Sequence, residues 1–152
     1  MNDPAWRKRG EIKYFVDASK ITSLTKDIET FAQSDQHSSN NGDYFVNSLY
    51  FDTTSDRSYY EKIDGVANRN KFRIRNYTSS SRDIFSTDSF KLEIKRRITD
   101  RFLKGSTRIS QDFLHYLCQK ESSPSTAKSQ GPVVDDFLYH FHKLPLFPKM
   151  TV

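Results

Sequence analysis

Four cations, Arg69, Lys71, Arg73 and Arg75, recur at every second position of Asp64-Gly65-Val66-Ala67-Asn68-Arg69-Asn70-Lys71-Phe72-Arg73-Ile74-Arg75-Asn76-Tyr77. Lys91, Glu93, Lys95 and Arg97 repeat that spacing in Lys91-Leu92-Glu93-Ile94-Lys95-Arg96-Arg97. Side chains two apart on a strand stand roughly 6.7 Å from one another, so two such cations repel by about 2.5 kcal/mol at an effective dielectric of 20, less once they splay into water. A row of them is comfortable only in open solvent or around an anion. The chemistry on offer is therefore the holding of negative charge.

The elements that must position these groups are strands. Alternation puts Arg69, Lys71, Arg73, Arg75 and Tyr77 on one face of the first stretch and Asn70, Phe72, Ile74 and Asn76 on the other. The second stretch divides in the same way, with Phe90, Leu92, Ile94 and Arg96 opposite Lys91, Glu93, Lys95 and Arg97. A turn at Thr99-Asp100 leads to a further strand through Ile109, whose Phe102, Lys104, Ser106 and Arg108 continue the basic side.

Upstream, Arg7 to Val16 reads as a first strand, again with its charges on one face. From Asp17 the pattern turns helical through Ile21, Leu24, Ile28 and Phe31. Gln33 to Asp43 is a polar loop, Tyr44 to Asp52 a strand buried on both sides, and Ser55 to Ile63 a helical turn ended by Gly65. Thr78 to Asp88 sits where a hairpin loop belongs. Ser110 can cap a helix bearing Phe113, Leu114 and Leu117, and Ser122 to Pro132 is a connector. Val133 to Phe141 forms another amphipathic helix before Pro145 and Pro148, and Met150-Thr151-Val152 opens one more strand. The short connections favour antiparallel pairing.

A chain of 152 residues with 35% hydrophobic content suits one domain, residues 1–152. Its net charge of +5 favours an anionic partner without naming it. No stretch reaches the length of a membrane span, and Met1 to Arg9 lacks the apolar core of a signal peptide, so a cytoplasmic protein is expected. The single cysteine, Cys118, excludes an internal disulfide and reads as a small buried residue on its helix.

Five stretches in order, Glu11-Ile12-Lys13-Tyr14, Ser48-Leu49-Tyr50-Phe51-Asp52-Thr53, Tyr60-Glu61-Lys62-Ile63-Asp64-Gly65, Lys71-Phe72-Arg73-Ile74-Arg75-Asn76-Tyr77 and Leu92-Glu93-Ile94-Lys95-Arg96-Arg97, resemble the VTC domain family. That family belongs to the triphosphate tunnel metalloenzymes, the CYTH-like superfamily. The resemblance implies an α+β fold in which an antiparallel β-barrel of about eight strands, flanked by helices, encloses a lumen of Lys, Arg and Glu. It further implies polyphosphate polymerase chemistry, in which phosphoryl groups pass from ATP to inorganic polyphosphate with a divalent metal, Mn²⁺ or Mg²⁺. The family pattern continues with further strands, a metal-holding glutamate and late lysines; this chain ends at Val152 with about six strand candidates, so the barrel is expected to be incomplete.

Carried over by position, Arg73, Arg75 and Lys95 are the catalytic cations, which would neutralise charge developing on the transferred phosphoryl group. Lys13, Lys71, Lys91, Arg97, Lys104 and Arg108 would bind substrate, arginine through a bidentate fork and lysine as a mobile point charge. Glu11 and Glu93 are either metal ligands or salt-bridge partners of the neighbouring cations, the second being favoured. The bland reading of the basic face is a solvated sheet surface. Tyr50, Phe51 and Asp52 suit packing and a strand end, Tyr77 either stacks on a nucleotide base or packs at the rim, and the four histidines form no metal spacing. Two alternatives to the polymerase stand: a tripolyphosphatase or nucleoside triphosphatase of the same fold, and a non-catalytic module for polyphosphate or inositol phosphate. Nucleic acid is not the expected ligand, and a membrane-protein partner is left open.

Overall fold

The structure is a computed structural model, and it describes residues 6–8, 12–34, 44–78, 90–119 and 131–152. Six strands, β1 (Trp6–Lys8), β2 (Phe45–Asp52), β3 (Asn68–Thr78), β4 (Phe90–Ile98), β5 (Arg101–Ile109) and β6 (Phe147–Thr151), form one sheet in the order β1-β5-β4-β3-β2-β6. Every pairing is antiparallel. Among the described residues the sheet does not close, so the fold is an open portion of a barrel.

Period-two burial is clearest on β3, where Phe72, Ile74, Asn76 and Thr78 are buried and the cations between them are half-buried. The apolar face of β3 and β4 packs under two helices, α3 (Gln111–Gln119) and α4 (Pro132–Lys143). One core results: Phe72, Leu92 and Ile94 from the sheet meet Leu117, Val133 and Phe137 from the helices. Fully burying each such side chain is worth about 1.5–3 kcal/mol against leaving it exposed. Ser110 caps α3 as expected, its Oγ accepting from the amide of Phe113 at 3.2 Å.

Two local features fix how the chain approaches the basic face. Helix α2 (Arg57–Ile63) is tied to the end of β2 by Asp52, whose Oδ1 accepts from the amides of Thr53 and Ser58 at 2.8 and 2.9 Å. Gly65, with φ of +69°, then turns the chain out of α2, the amide of Val66 bonding the carbonyl of Glu61 at 3.0 Å. At the other side of the sheet a Cβ on Gly105 would stand 3.0 Å from the Trp6 ring, so the glycine lets β1 lie against β5.

Three expectations are corrected, and the helix expected after Asp17 is met. Of the expected first strand, Arg7 to Val16, Arg7 and Lys8 lie in β1, residues 9–11 are outside the described residues, and 12–16 are exposed and irregular, as is Asp17. The helix at Ile21, Leu24 and Ile28 forms as α1 (Ile21–Glu29) but buries none of its residues. Pro148 lies inside β6, tolerated at an edge strand beside an irregularity in its register with β2. Cys118 is exposed. Among the described residues no helix is long and apolar enough to cross a membrane.

Candidate phosphate-binding face

The strand register assembles the basic face in cross-strand rows. Arg69 is opposite Arg97 and Arg97 opposite Phe102; Lys71, Lys95 and Lys104 form the next row; Arg73, Glu93 and Ser106 the third; Arg75, Lys91 and Arg108 the fourth. β2 adds Tyr50 beside Arg73 and Ser48 beside Arg75. These rows therefore carry a single acid, Glu93, among nine basic residues.

Glu93 is 1% exposed and each of its carboxylate oxygens is in an ion pair. Lys104 Nζ lies 2.5 Å from Oε1, Arg73 Nη2 lies 2.7 Å from Oε2 and its Nε donates to the same oxygen at 2.8 Å, and Arg75 Nη1 stands 3.9 Å away. Burial alone would push the Glu93 carboxyl up; the hydrogen bond from Lys104 and the charge of Arg73 outweigh it and hold the group below its ordinary value. Arg73 also donates to the Tyr50 hydroxyl at 3.2 Å, and Arg75 to Ser48 Oγ at 3.1 Å. The guanidinium planes are thus fixed from behind.

In front of them opens a cavity of about 380 Å³ lined by Lys13, Lys62, Arg69, Lys71, Arg73, Lys95 and Arg97 with Tyr50 and Phe102. Among the described residues seven of the nine that line it are cations and none is acidic. Lys71 shows the resulting field: burial, then Lys62, Arg69 and Lys95, hold its ammonium below the ordinary lysine value despite the opposing pull of Tyr50. Such a group favours any ligand that brings negative charge.

Of the residues expected to form the site, the cavity brings together Lys13, Lys71, Arg73, Lys95 and Arg97. Arg75 and Lys104 flank it through Glu93. Lys91 and Arg108 face each other one row further along the sheet and do not line the cavity. Glu11 lies outside the described residues. Four lining residues were missed from sequence. Lys62 comes from α2, where no strand alternation marks it; Arg69 and Phe102 were seen on the basic side but not chosen; Tyr50 was given to packing. Tyr77 packs edge-on against Tyr44 at 5.7 Å, away from the cavity.

The VTC domain model matches residues 8–152. The chain belongs to the VTC domain family. The solved structure of a candidate adenylate cyclase from Bacillus halodurans, 16% identical, superposes with a TM-score of 0.50 over 97% of this chain, which spans 61% of that protein. The likeness shows the CYTH-like tunnel fold. No curated protein sequence matches the chain. Tunnel folds of this kind bind triphosphates in general and are generally dependent on a divalent metal. The described residues do not fit such an ion: no three of their His, Cys, Asp or Glu residues cluster, and both oxygens of Glu93 are held by cations.

Proposed function

We propose that residues 1–152 supply the N-terminal and central wall of a polyphosphate polymerase-type domain. The observation that carries this reading is a cavity that seven cations, and no acid among the described residues, line in a VTC family member. A triphosphate placed there meets Arg73 as a fork held by Glu93 and Tyr50, with Lys71, Lys95 and Lys13 as point charges around it. A terminal oxygen of a polyphosphate chain attacks the γ-phosphorus of ATP; a new P–O bond forms as the bond to the β-phosphate oxygen breaks, and ADP leaves. Positioning and charge neutralisation are what this wall contributes. Arg75, behind Arg73, and the row of Lys91 and Arg108 continue the path for a longer chain, and Lys104 keeps Glu93 ionised. The reading includes a cytoplasmic location and leaves room for a membrane-protein partner.

One observation favours a second reading. Both oxygens of Glu93 are ion-paired, so among the described residues this face offers no other carboxylate to hold Mn²⁺ or Mg²⁺; a non-catalytic module for polyphosphate needs none. The protein in its full natural length, incubated with ATP and Mn²⁺ or Mg²⁺, separates the two. Acid-stable, polyphosphatase-sensitive polymer supports the polymerase. Binding of polyphosphate without any product sinks it in favour of the module, and orthophosphate without polymer marks a hydrolase.

A further inference from the structure

On the helix side of the sheet, away from the basic face, a separate cavity of about 350 Å³ is walled by α2, by the first residues of β3 and by the C-terminal part of α4. Alternation sets its floor: Asn68, Asn70 and Arg96 belong to the face of β3 and β4 opposite the phosphate-binding cations. Arg57 of α2 and Lys143 of α4 join them, and Arg69 and Arg97, partners at the end of the sheet, reach this cavity as well as the one in front. Among the described residues five Lys or Arg side chains and one acid, Glu61, therefore line it.

Two of those cations are already balanced. Arg57 Nε meets Glu61 at 2.7 Å and Arg96 Nη2 meets Asp136 at 2.9 Å. The other three are held only by neutral oxygens: Arg69 donates to the carbonyl of Val66 at 2.6 Å, Arg97 to that of Thr99 at 2.6 Å and Lys143 to the Tyr139 hydroxyl at 2.8 Å. Acceptors in the wall are in use too. Asn68 Oδ1 accepts from the amide of Thr99 and Asn70 Oδ1 from Arg96 Nε, each at 3.1 Å. His140 Nδ1 lies 2.8 Å from the carbonyl of Asp136, which only accepts, so that nitrogen carries the proton and Nε2 accepts from the Asn70 amide at 3.3 Å. What the wall leaves for a ligand is donors and positive charge.

We propose that this cavity is a second anion site, distinct from the triphosphate face, which holds a phosphoryl group of two or more charges, either free or carried as a monoester. Arg69 and Arg97 supply planar donor forks and Lys143 a point charge, the pairing that phosphate oxygens favour. Tyr139, 57% exposed in the same wall, offers a flat surface to the organic part of an ester. The inference goes beyond the proposed function and does not depend on it.

The test titrates inorganic pyrophosphate and, separately, phenyl phosphate into the full chain and follows the amide NMR spectrum. Arg69 and Arg97 line both cavities and stay in place; Arg73→Ala weakens the front site, and Lys143→Ala, at an exposed position, addresses the cavity behind. In Arg73→Ala the proposal expects saturable movement of the resonances of residues 139–144 and of the Asn68 and Asn70 side-chain amides. Adding Lys143→Ala in that background weakens the response about tenfold, the scale of one charge-assisted hydrogen bond. Lys143→Ala alone keeps wild-type tripolyphosphate affinity at the Lys71 and Lys95 resonances, which also reports that it is folded. Should the double variant lose its native spectrum, Lys143→Gln in the wild-type background is read at the same resonances and decides in the same way. Tighter pyrophosphate supports a free oligophosphate as occupant and tighter phenyl phosphate a monoester. Movement confined to the front face, or a response behind the sheet that the Lys143 variants leave unchanged, overturns the proposal. A chain that takes pyrophosphate behind the sheet but no tripolyphosphate in front sinks the proposed function and leaves this inference standing.

Discussion

The two faces of β4 solve the same electrostatic problem in opposite ways. On the helix side Arg96 Nη2 meets Asp136 at 2.9 and 3.1 Å, its Nε donates to the Oδ1 of Asn70 at 3.1 Å, and the guanidinium lies 5.0 Å over the Trp6 ring, so one cation has one carboxylate of its own. On the open side Glu93 is shared by Arg73, Lys104 and Arg75, while no carboxylate among the described residues lines the cavity in front. Charge that is balanced internally is architecture. Charge left in surplus, and held in place by a buried anion behind it, is a receptor for an anion from outside. Glu93 therefore serves the fold and the site together: it makes the crowding of Arg73 and Lys104 tolerable, and it fixes where their remaining donors point.

Substitutions on the two sides should separate these roles. The largest effect belongs to the packed face: Phe72→Ala, 1% exposed before the change, costs about 3–5 kcal/mol in a denaturation experiment. Tripolyphosphate affinity of the fraction that remains folded should stay near wild type. Glu93→Gln comes next, at about 3 kcal/mol, because it leaves two close cations without their counter-charge. Added tripolyphosphate should recover part of that loss. The pH dependence follows from the depressed Glu93 pKa: its contribution is fully present above the ordinary carboxyl value and is lost as pH falls through the lower folded value. Glu93→Gln should remove this acid limb from the stability profile.

Arg73→Ala should weaken tripolyphosphate binding about thirtyfold, roughly 2 kcal/mol, the range of a charge-assisted hydrogen bond. Lys71 adds a pH signature on the alkaline side. An anion favours its charged form, so affinity is full below the free-state pKa and declines as pH rises through it, beginning below the ordinary lysine value of 10.5. Calorimetry across pH with wild type and Lys71→Met checks this, the variant losing that limb. The smallest effect is Asp136→Asn on the helix side, at most about 1 kcal/mol of stability for a pair a quarter exposed, and none on binding.

What could be read from the sequence was what depends on near neighbours. The division of β3 into a cationic and an apolar face follows from alternation alone, and the structure keeps it from Arg69 to Thr78. The Ser110 cap and the helix at Val133 to Phe141 are equally local, set by one hydroxyl and by helical spacing. Long-range pairing was harder. Ile12 to Val16 has strand-like alternation and lies exposed because strand formation needs a partner that alternation cannot supply. Whether Glu93 held cations or a metal depended on Arg73 falling opposite it on β3 and on Lys104 reaching it from β5, both consequences of register. Lys62 and Tyr50 joined the site through the position of α2 and the pairing of β2 with β3, neither of which has a mark in the local sequence.

The central claim, that the open face of β3 and β4 is a triphosphate receptor, is tested most directly by titrating tripolyphosphate into the wild-type chain and into Arg73→Ala at two salt concentrations. Saturable binding that weakens with salt and falls about thirtyfold in the variant is the predicted result. Absence of binding, or equal affinity in the two proteins, would contradict it.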